Sequence, residues 1–196
     1  MTRKPKIYLL IQARTNSSRL FGKCLFLIKN REAILLLHDR VKSKNYKTII
    51  LTSNEKSDDY LSNILKKNKI NCFRGNLKNV RDRFLKFTSK LYMNDIIIRC
   101  TADNLLIDKF IINKLIKEFK KSKKKYVSID RKKSLLPYGL GIEIFTVETL
   151  KCSKVRFKSD LEHVTPPIIR DKKNIEHVLL KNNTNLFNKS CTIDTL

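Results

Sequence analysis

Short apolar runs alternate with helix-length amphipathic segments through the first two thirds of the chain, and this alternation limits the fold more than any other feature. Residues 6–12, 47–52, 70–73, 95–100 and 126–129 are apolar runs of β-character. Between them, residues 32–42, 58–67, 80–91 and 108–119 carry apolar side chains at helical spacing, as in Ile34, Leu35, Leu37 and Val41. Short strands separated by helices of several turns are βαβ units, and such units build a mainly parallel sheet with helices on its faces. The last third is less regular. Residues 139–145 end in a strand-like I-E-I-F, residues 146–151 form a short helix, and residues 159–170 are helical until Pro166 and Pro167 interrupt them. Residues 175–180 and 191–193 are further strands. The expected fold class is therefore α/β, a mainly parallel sheet flanked by helices with an antiparallel addition near one edge.

Composition supports one core. With 196 residues, 41% apolar and 31% charged, the chain suits a single domain spanning residues 1–196 and is too apolar for disorder. The apolar runs at residues 7–11 and 96–98 fall far short of the ~20 residues that span a bilayer. The basic residues Arg3, Lys4 and Lys6 do not lead into a secretory segment, because the apolar stretch behind them stops at Gln12 and Arg14. Five scattered cysteines (Cys24, Cys72, Cys100, Cys152, Cys191) form no C-x-x-C pair, which excludes a zinc knuckle or a disulfide framework. A reducing cytoplasm is the expected setting, with no membrane partner.

Lys+Arg number 43 against 18 Asp+Glu, a formal charge of +25. A charge of that size is the footprint of a nucleic-acid binder. However, lysine fills even featureless helical stretches such as residues 114–125, there is no Trp, and no basic stretch carries interleaved Phe or Tyr for base stacking. An anionic small substrate explains local positive charge equally well, and nucleic acid is not the expected partner.

In open α/β sheets ligands bind beyond the carboxyl ends of the strands. The connection after the first strand, from Gln12 through Ala13, Arg14, Ser17, Ser18, Arg19, Phe21 and Gly22 to Lys23, is unusually long. Arginine offers a planar fork to phosphate oxygens, lysine a point charge, and serine hydroxyls complete a phosphate cradle. The segment is neither a Walker A loop nor a G-x-G-x-x-G turn. Judged on residue types alone, a solvated basic loop is an equal alternative. After the fourth strand, Asp103 follows Arg99, Cys100, Thr101 and Ala102, where it is either a site carboxylate or a turn or cap residue.

The segment Q-A-R-x-x-S-S-R-L-x-G-K resembles the opening motif of the cytidylyltransferases that activate acidic sugars. These include the acylneuraminate and KDO enzymes and especially the spore coat polysaccharide biosynthesis protein F branch. Further matches run along the chain: Thr52-Ser53-Asn54 with Asp58-Asp59; Phe73-Arg74-Gly75 with Asn79-Val80-Arg81-Asp82-Arg83-Phe84; Tyr138 to Phe145; Glu162-His163-Val164-Thr165-Pro166; and Cys191-Thr192-Ile193-Asp194-Thr195.

The resemblance implies a Rossmann-like, GT-A-type nucleotidyltransferase that moves CMP from CTP to a sugar and releases pyrophosphate, for surface polysaccharide biosynthesis. It implies catalytic roles for Arg14, Lys23 and Asp103. Gln12, Ala13, Arg14, Ser18, Arg19, Lys23, Thr52, Ser53 and Asp103 would bind nucleotide. Tyr138, Gly139, Glu143, Glu162 and His163 would line the sugar pocket, His163 either orienting substrate or moving a proton. Asp103 and Asp194 would carry Mg²⁺, and a homodimer is the family's common state. Asp82, with Arg81 and Arg83, stands at a helix start on the nucleotide side and can form local ion pairs.

The chain departs from the pattern at four places. Phe21 stands for proline, Ala102 for glycine, Leu105 for proline and Gly141 for aspartate. The sequence also stops two residues after Asp194, where the resemblance implies a further helix, so a truncated C-terminus is expected. Two alternatives follow: a catalytically impaired, nucleotide-sugar-binding relative acting as a partner protein, or a basic nucleic-acid-binding protein.

Overall fold

A computed structural model describes residues 3–17, 20–180 and 184–193. The predicted alternation is present. Strands β1 (Ile7–Gln12), β4 (Lys47–Ser53), β5 (Cys72–Gly75), β6 (Ile96–Thr101), β7 (Tyr126–Ile129), β8 (Glu143–Thr146) and β9 (Ile175–Val178) form a sheet in the order β5-β4-β1-β6-β8-β7-β9. A small hairpin, β2 (Leu27–Ile28) with β3 (Arg31–Glu32), stands apart. The helices are α1 (Ala33–Val41), α2 (Asp59–Lys67), α3 (Val80–Thr88), α4 (Lys109–Lys121), α5 (Val147–Cys152), α6 (Ser159–His163) and α7 (Pro166–Ile169).

The central strands are apolar at nearly every position because helices cover both sheet faces. Leu9 and Ile11 of β1 and Ile96 and Ile98 of β6 point to one face, where Leu37 and Val41 of α1 and Ile112 and Leu115 of α4 meet them. Tyr8 and Leu10 of β1 and Ile97 of β6 point to the other, against Val80 and Phe84 of α3 and Leu150 of α5. Helix α4 is well started: the Asp108 side chain accepts from the amides of Phe110 and Ile111, both at 2.9 Å.

The antiparallel strand β8 lies near one edge, as expected, between β6 and β7, and β9 closes that edge parallel to β7. One sequence expectation is corrected, and one element was not foreseen. Residues 191–193 are not a strand; beside them Tyr138 and Ser190 form one isolated bridge, and the Cys191 amide donates to the Tyr138 carbonyl at 2.8 Å. The β2–β3 hairpin was not expected, because its two-residue turn is Lys29-Asn30 rather than a glycine pair. Both residues take positive φ, 49° and 62°, as such a turn requires.

Candidate functional site

Strand order reverses between β1, whose sequence neighbour β4 lies on one side, and β6 on the other. Their loops diverge there, and a cleft of about 540 Å³ opens beyond their carboxyl ends. One wall is the segment after β1, with Gln12, Arg14, Ser17 and Lys23; the floor is the end of β6, with Arg99, Thr101 and Asp103. The far wall carries Ser128 on β7 and Arg131 after it, Tyr138 and Glu143 before and on β8, and Glu162 and His163 on α6. Of the expected residues, Gln12, Ala13, Arg14, Lys23, Asp103, Tyr138, Gly139, Glu143, Glu162 and His163 line this one cleft. Ser18, Arg19 and Asp194 lie outside the described residues.

The loop after β1 is anchored by Asp58. Its carboxylate accepts from the Thr15 amide at 2.7 Å, the Thr15 hydroxyl at 2.6 Å and the Ser53 amide at 3.0 Å, and also from the Ser53 hydroxyl. Burial works to raise the Asp58 pKa, but these donors together outweigh it and hold the group below the usual carboxylate range. The Thr15 carbonyl in turn accepts from the amides of Ser17 and Gly22, at 2.8 and 2.7 Å. Gly22 has φ +69°, the conformation that returns the chain toward Lys23.

Thr52 and Ser53 are fully buried and are not among the cleft residues. Ser53 belongs to the Asp58 anchor, and the buried Thr52 hydroxyl has no hydrogen-bond partner among the described residues.

Across the cleft, the Lys23 Nζ donates to Asp103 Oδ2 at 2.6 Å, and the Thr101 hydroxyl donates to Asp103 Oδ1 at 2.6 Å. Arg14 Nη2 meets Glu162 Oε1 at 3.2 Å. Arg99 pairs with Glu143 and donates to Gln12 Oε1 at 3.0 Å. Tyr126 and Thr165 hydroxyls also donate to Glu143 Oε1, at 2.8 and 2.7 Å. Glu143 thus ties β6, β7, β8 and the start of α7 together, while presenting one edge to the cleft.

Arg131 was missed by sequence reading, because nothing local marks it. Its Nη1 donates to the Phe187 carbonyl at 2.8 Å, and its guanidinium lies 4.1 Å from the Phe187 ring centroid. Among the described residues no carboxylate pairs with it. Among the described residues the cleft therefore holds three ion pairs and one additional cation, Arg131.

Two of the departures from the family pattern, Ala102 and Gly141, are accommodated. Ala102 is buried without positive φ, so its turn does not need glycine. Gly141 faces open space. Gly139 is constrained: φ is +103°, and a Cβ there would lie 2.7 Å from Thr192 Cγ2 and 2.9 Å from Cys191 Sγ.

The expected ion pairs among Arg81, Asp82 and Arg83 are absent. Asp82 pairs with Lys86 at 3.0 Å, one helical turn on. Arg81 and Arg83 turn inward, away from the cleft, and donate to backbone carbonyls. Burial lowers the Arg83 pKa to about 10. After His163, Val164 has φ 58° and ψ −54°. The Thr165 amide donates to the His163 carbonyl at 2.6 Å, closing a γ-turn. For a β-branched residue this conformation is strained by about 1–3 kcal/mol.

A doubly wound α/β sheet whose switch-point cleft sets basic groups opposite a carboxylate is the architecture of a nucleotide-binding α/β protein. Residues 8–194 match the sequence profile of the cytidylyltransferases. The chain belongs to that family, as its motifs implied.

An uncharacterized protein of Methanocaldococcus jannaschii is 38% identical over 167 residues, covering 83% of this chain and 67% of that protein. The spore coat polysaccharide biosynthesis protein SpsF of Bacillus subtilis is 35% identical over 116 residues, 56% of this chain and 48% of SpsF. The match thus spans about two thirds of the first relative and about half of the second. A cytidylyltransferase structure from Leptospira borgpetersenii superposes with a TM-score of 0.85 at 29% identity, covering 98% of this chain and 82% of that one. A CMP:2-keto-3-deoxy-manno-octonic acid synthetase solved with CTP superposes with a TM-score of 0.69 over 97% of this chain and 93% of that one; at 14% identity it shows the shared fold. Among the described residues no helix is long and apolar enough to cross a membrane.

Proposed function

We propose that this cytidylyltransferase transfers CMP from CTP to an acidic sugar of the nonulosonic or octulosonic type, releasing pyrophosphate, in surface polysaccharide biosynthesis. The observation that carries the reading is the contact of Lys23 with Asp103 across the switch-point cleft, with Arg14 on the same wall. The acceptor hydroxyl oxygen bonds to the α-phosphorus as the bond to the β-phosphate oxygen breaks, and pyrophosphate leaves. Arg14 and Lys23 bind the triphosphate and offset charge on the departing group, so the rate gain is positional and electrostatic. Lys23 exchanges Asp103 for phosphate oxygens when CTP binds. Arg131, which pairs with no carboxylate among the described residues, is the proposed partner of the acceptor's carboxylate, for which its planar fork is suited. His163, on the same wall, is the proposed recipient of the hydroxyl proton.

Mg²⁺, when bound, offsets phosphate charge and aligns the reacting groups. Asp103 would hold it, with Asp194 as second carboxylate. Among the described residues each Asp103 oxygen accepts one hydrogen bond, Oδ2 from Lys23 and Oδ1 from Thr101, which leaves lone pairs for an ion. Among the described residues no three His, Cys, Asp or Glu side chains converge. That donor set suits an ion taking one or two carboxylates plus phosphate oxygens and water. The carbonyl of Asp103 accepts from the amide of Ile193 at 3.4 Å, which supports pairing the two segments.

The test is a screen of the four nucleoside triphosphates against acidic sugars, read by pyrophosphate release. Turnover is expected with CTP and an acidic acceptor and lost in Asp103→Asn. Preference for another nucleotide overturns the CTP assignment, and full turnover in Asp103→Asn overturns the role of that carboxylate.

A further inference from the structure

We infer that Arg81, which is not among the cleft-lining residues, is a positioning residue that clamps the Val164 turn and so aims Glu162 and His163 into the cleft. The inference rests on the activity proposed above. Arg81 sits in the first turn of α3 and is 3% exposed. Its Nη1 donates to the Val164 carbonyl at 3.2 Å. Its Nη2 donates to the Leu150 carbonyl at 2.6 Å and to the carbonyl and hydroxyl of Ser153 at 2.8 and 2.9 Å. No carboxylate touches it among the described residues. A buried cation bonded only to neutral oxygens is unfavourable for folding by itself. Its fork instead joins the C-terminal end of α5 to a single strained peptide after α6.

That peptide controls three contacts with the site. Val164 is fully buried on the far sheet face. Its γ-turn reverses the chain, so that Glu162 and His163 before it line the cleft while Thr165 after it reaches Glu143 at 2.7 Å. Glu162 in turn holds Arg14. A backbone conformation this unfavourable persists only where its surroundings enforce it. The enforcing groups are the Val164 side chain in the core and the Arg81 guanidinium on its carbonyl. A lysine at position 81 keeps the charge but can reach only one of the two anchors at a time.

The experiment compares wild type, Arg81→Lys and Arg81→Met. Hydrogen exchange of the ligand-free proteins reads the clamp directly. Residues 159–165 should exchange faster in Arg81→Lys, with β1 and β4 unchanged. Kinetics read the consequence: KM for the acidic acceptor should rise roughly tenfold in Arg81→Lys, with KM for CTP within about twofold. The acceptor effect should be smaller when Arg81→Lys is made in a His163→Ala background, the two changes being less than additive, because both act in part through His163. Arg81→Met should show the larger effect where it folds. Unchanged exchange over residues 159–165 in Arg81→Lys overturns the clamp, whatever the kinetics. Faster exchange with unaltered acceptor KM, or full additivity with His163→Ala, overturns the positioning role. Absence of turnover in the wild type overturns the activity reading, and the exchange comparison still decides the clamp.

Discussion

Burial alone raises a carboxyl pKa, yet Asp58 is held below the usual range because Ser53 and Thr15 direct four donors at it. A depressed folded pKa gives stability that is present above the unfolded value, near 3.9, and is lost as pH falls through the folded one. Asp58→Asn should therefore flatten the acid side of the stability profile. At neutral pH it should cost about 2–3 kcal/mol in urea unfolding, since two donors face an amide nitrogen instead of an oxygen. CTP affinity should fall as well, because Thr15 no longer fixes the loop that carries Lys23. Arg131 predicts a different signature. Arg131→Met should raise KM for an acidic acceptor by about 10–100-fold, the loss of one charge-assisted bond, with KM for CTP little changed. A neutral sugar analogue, assayed side by side, should be indifferent to the change. Sequence reading set Lys23 and Asp103 beyond the strand ends because a long basic loop and a post-strand aspartate are local features, and both line the cleft. Arg131 and the structural role of Ser53 were illegible, since each depends on what another segment brings beside it.

Among elements, those with strong periodicity were legible to within a few residues, and those defined by a single turn or bridge were not. Helix α4 has both amphipathic spacing and a cap, so Asp108→Ala should lower stability by about 1 kcal/mol without altering kinetics. The segment around Tyr138 and Cys191 has neither. It is held by a bridge and by the close approach that Gly139 permits. Gly139→Ala should push residues 191 and 192 off that wall, costing about 1–3 kcal/mol from the positive φ alone. Limited proteolysis would then cut after residue 184 earlier than in wild type. The position of β8 was also hidden. Its I-E-I-F pattern specifies a strand, but its place between β6 and β7 is set by which neighbours are open once both helical layers have packed.

For the whole molecule, the charge of +25 is the most conspicuous number in the sequence and says least about the chemistry. Among the described cleft residues it is largely compensated: Lys23 faces Asp103, Arg14 faces Glu162 and Arg99 faces Glu143. Polynucleotide binding should accordingly be weak, fall steeply with salt and be indifferent to Asp103→Asn, which a filter-binding salt titration checks. The order of apolar runs along the chain by itself determined a mainly parallel sheet covered on both faces, because a strand buried on two sides must be apolar throughout and a crossover helix must be amphipathic. It also set the loops after the first and fourth strands at the carboxyl edge of the sheet, where the cleft opens. Only the tertiary structure decided which charges meet there. Ion pairing and strain depend on distances of a few ångströms between segments dozens of residues apart, and no local pattern in the chain encodes those separations.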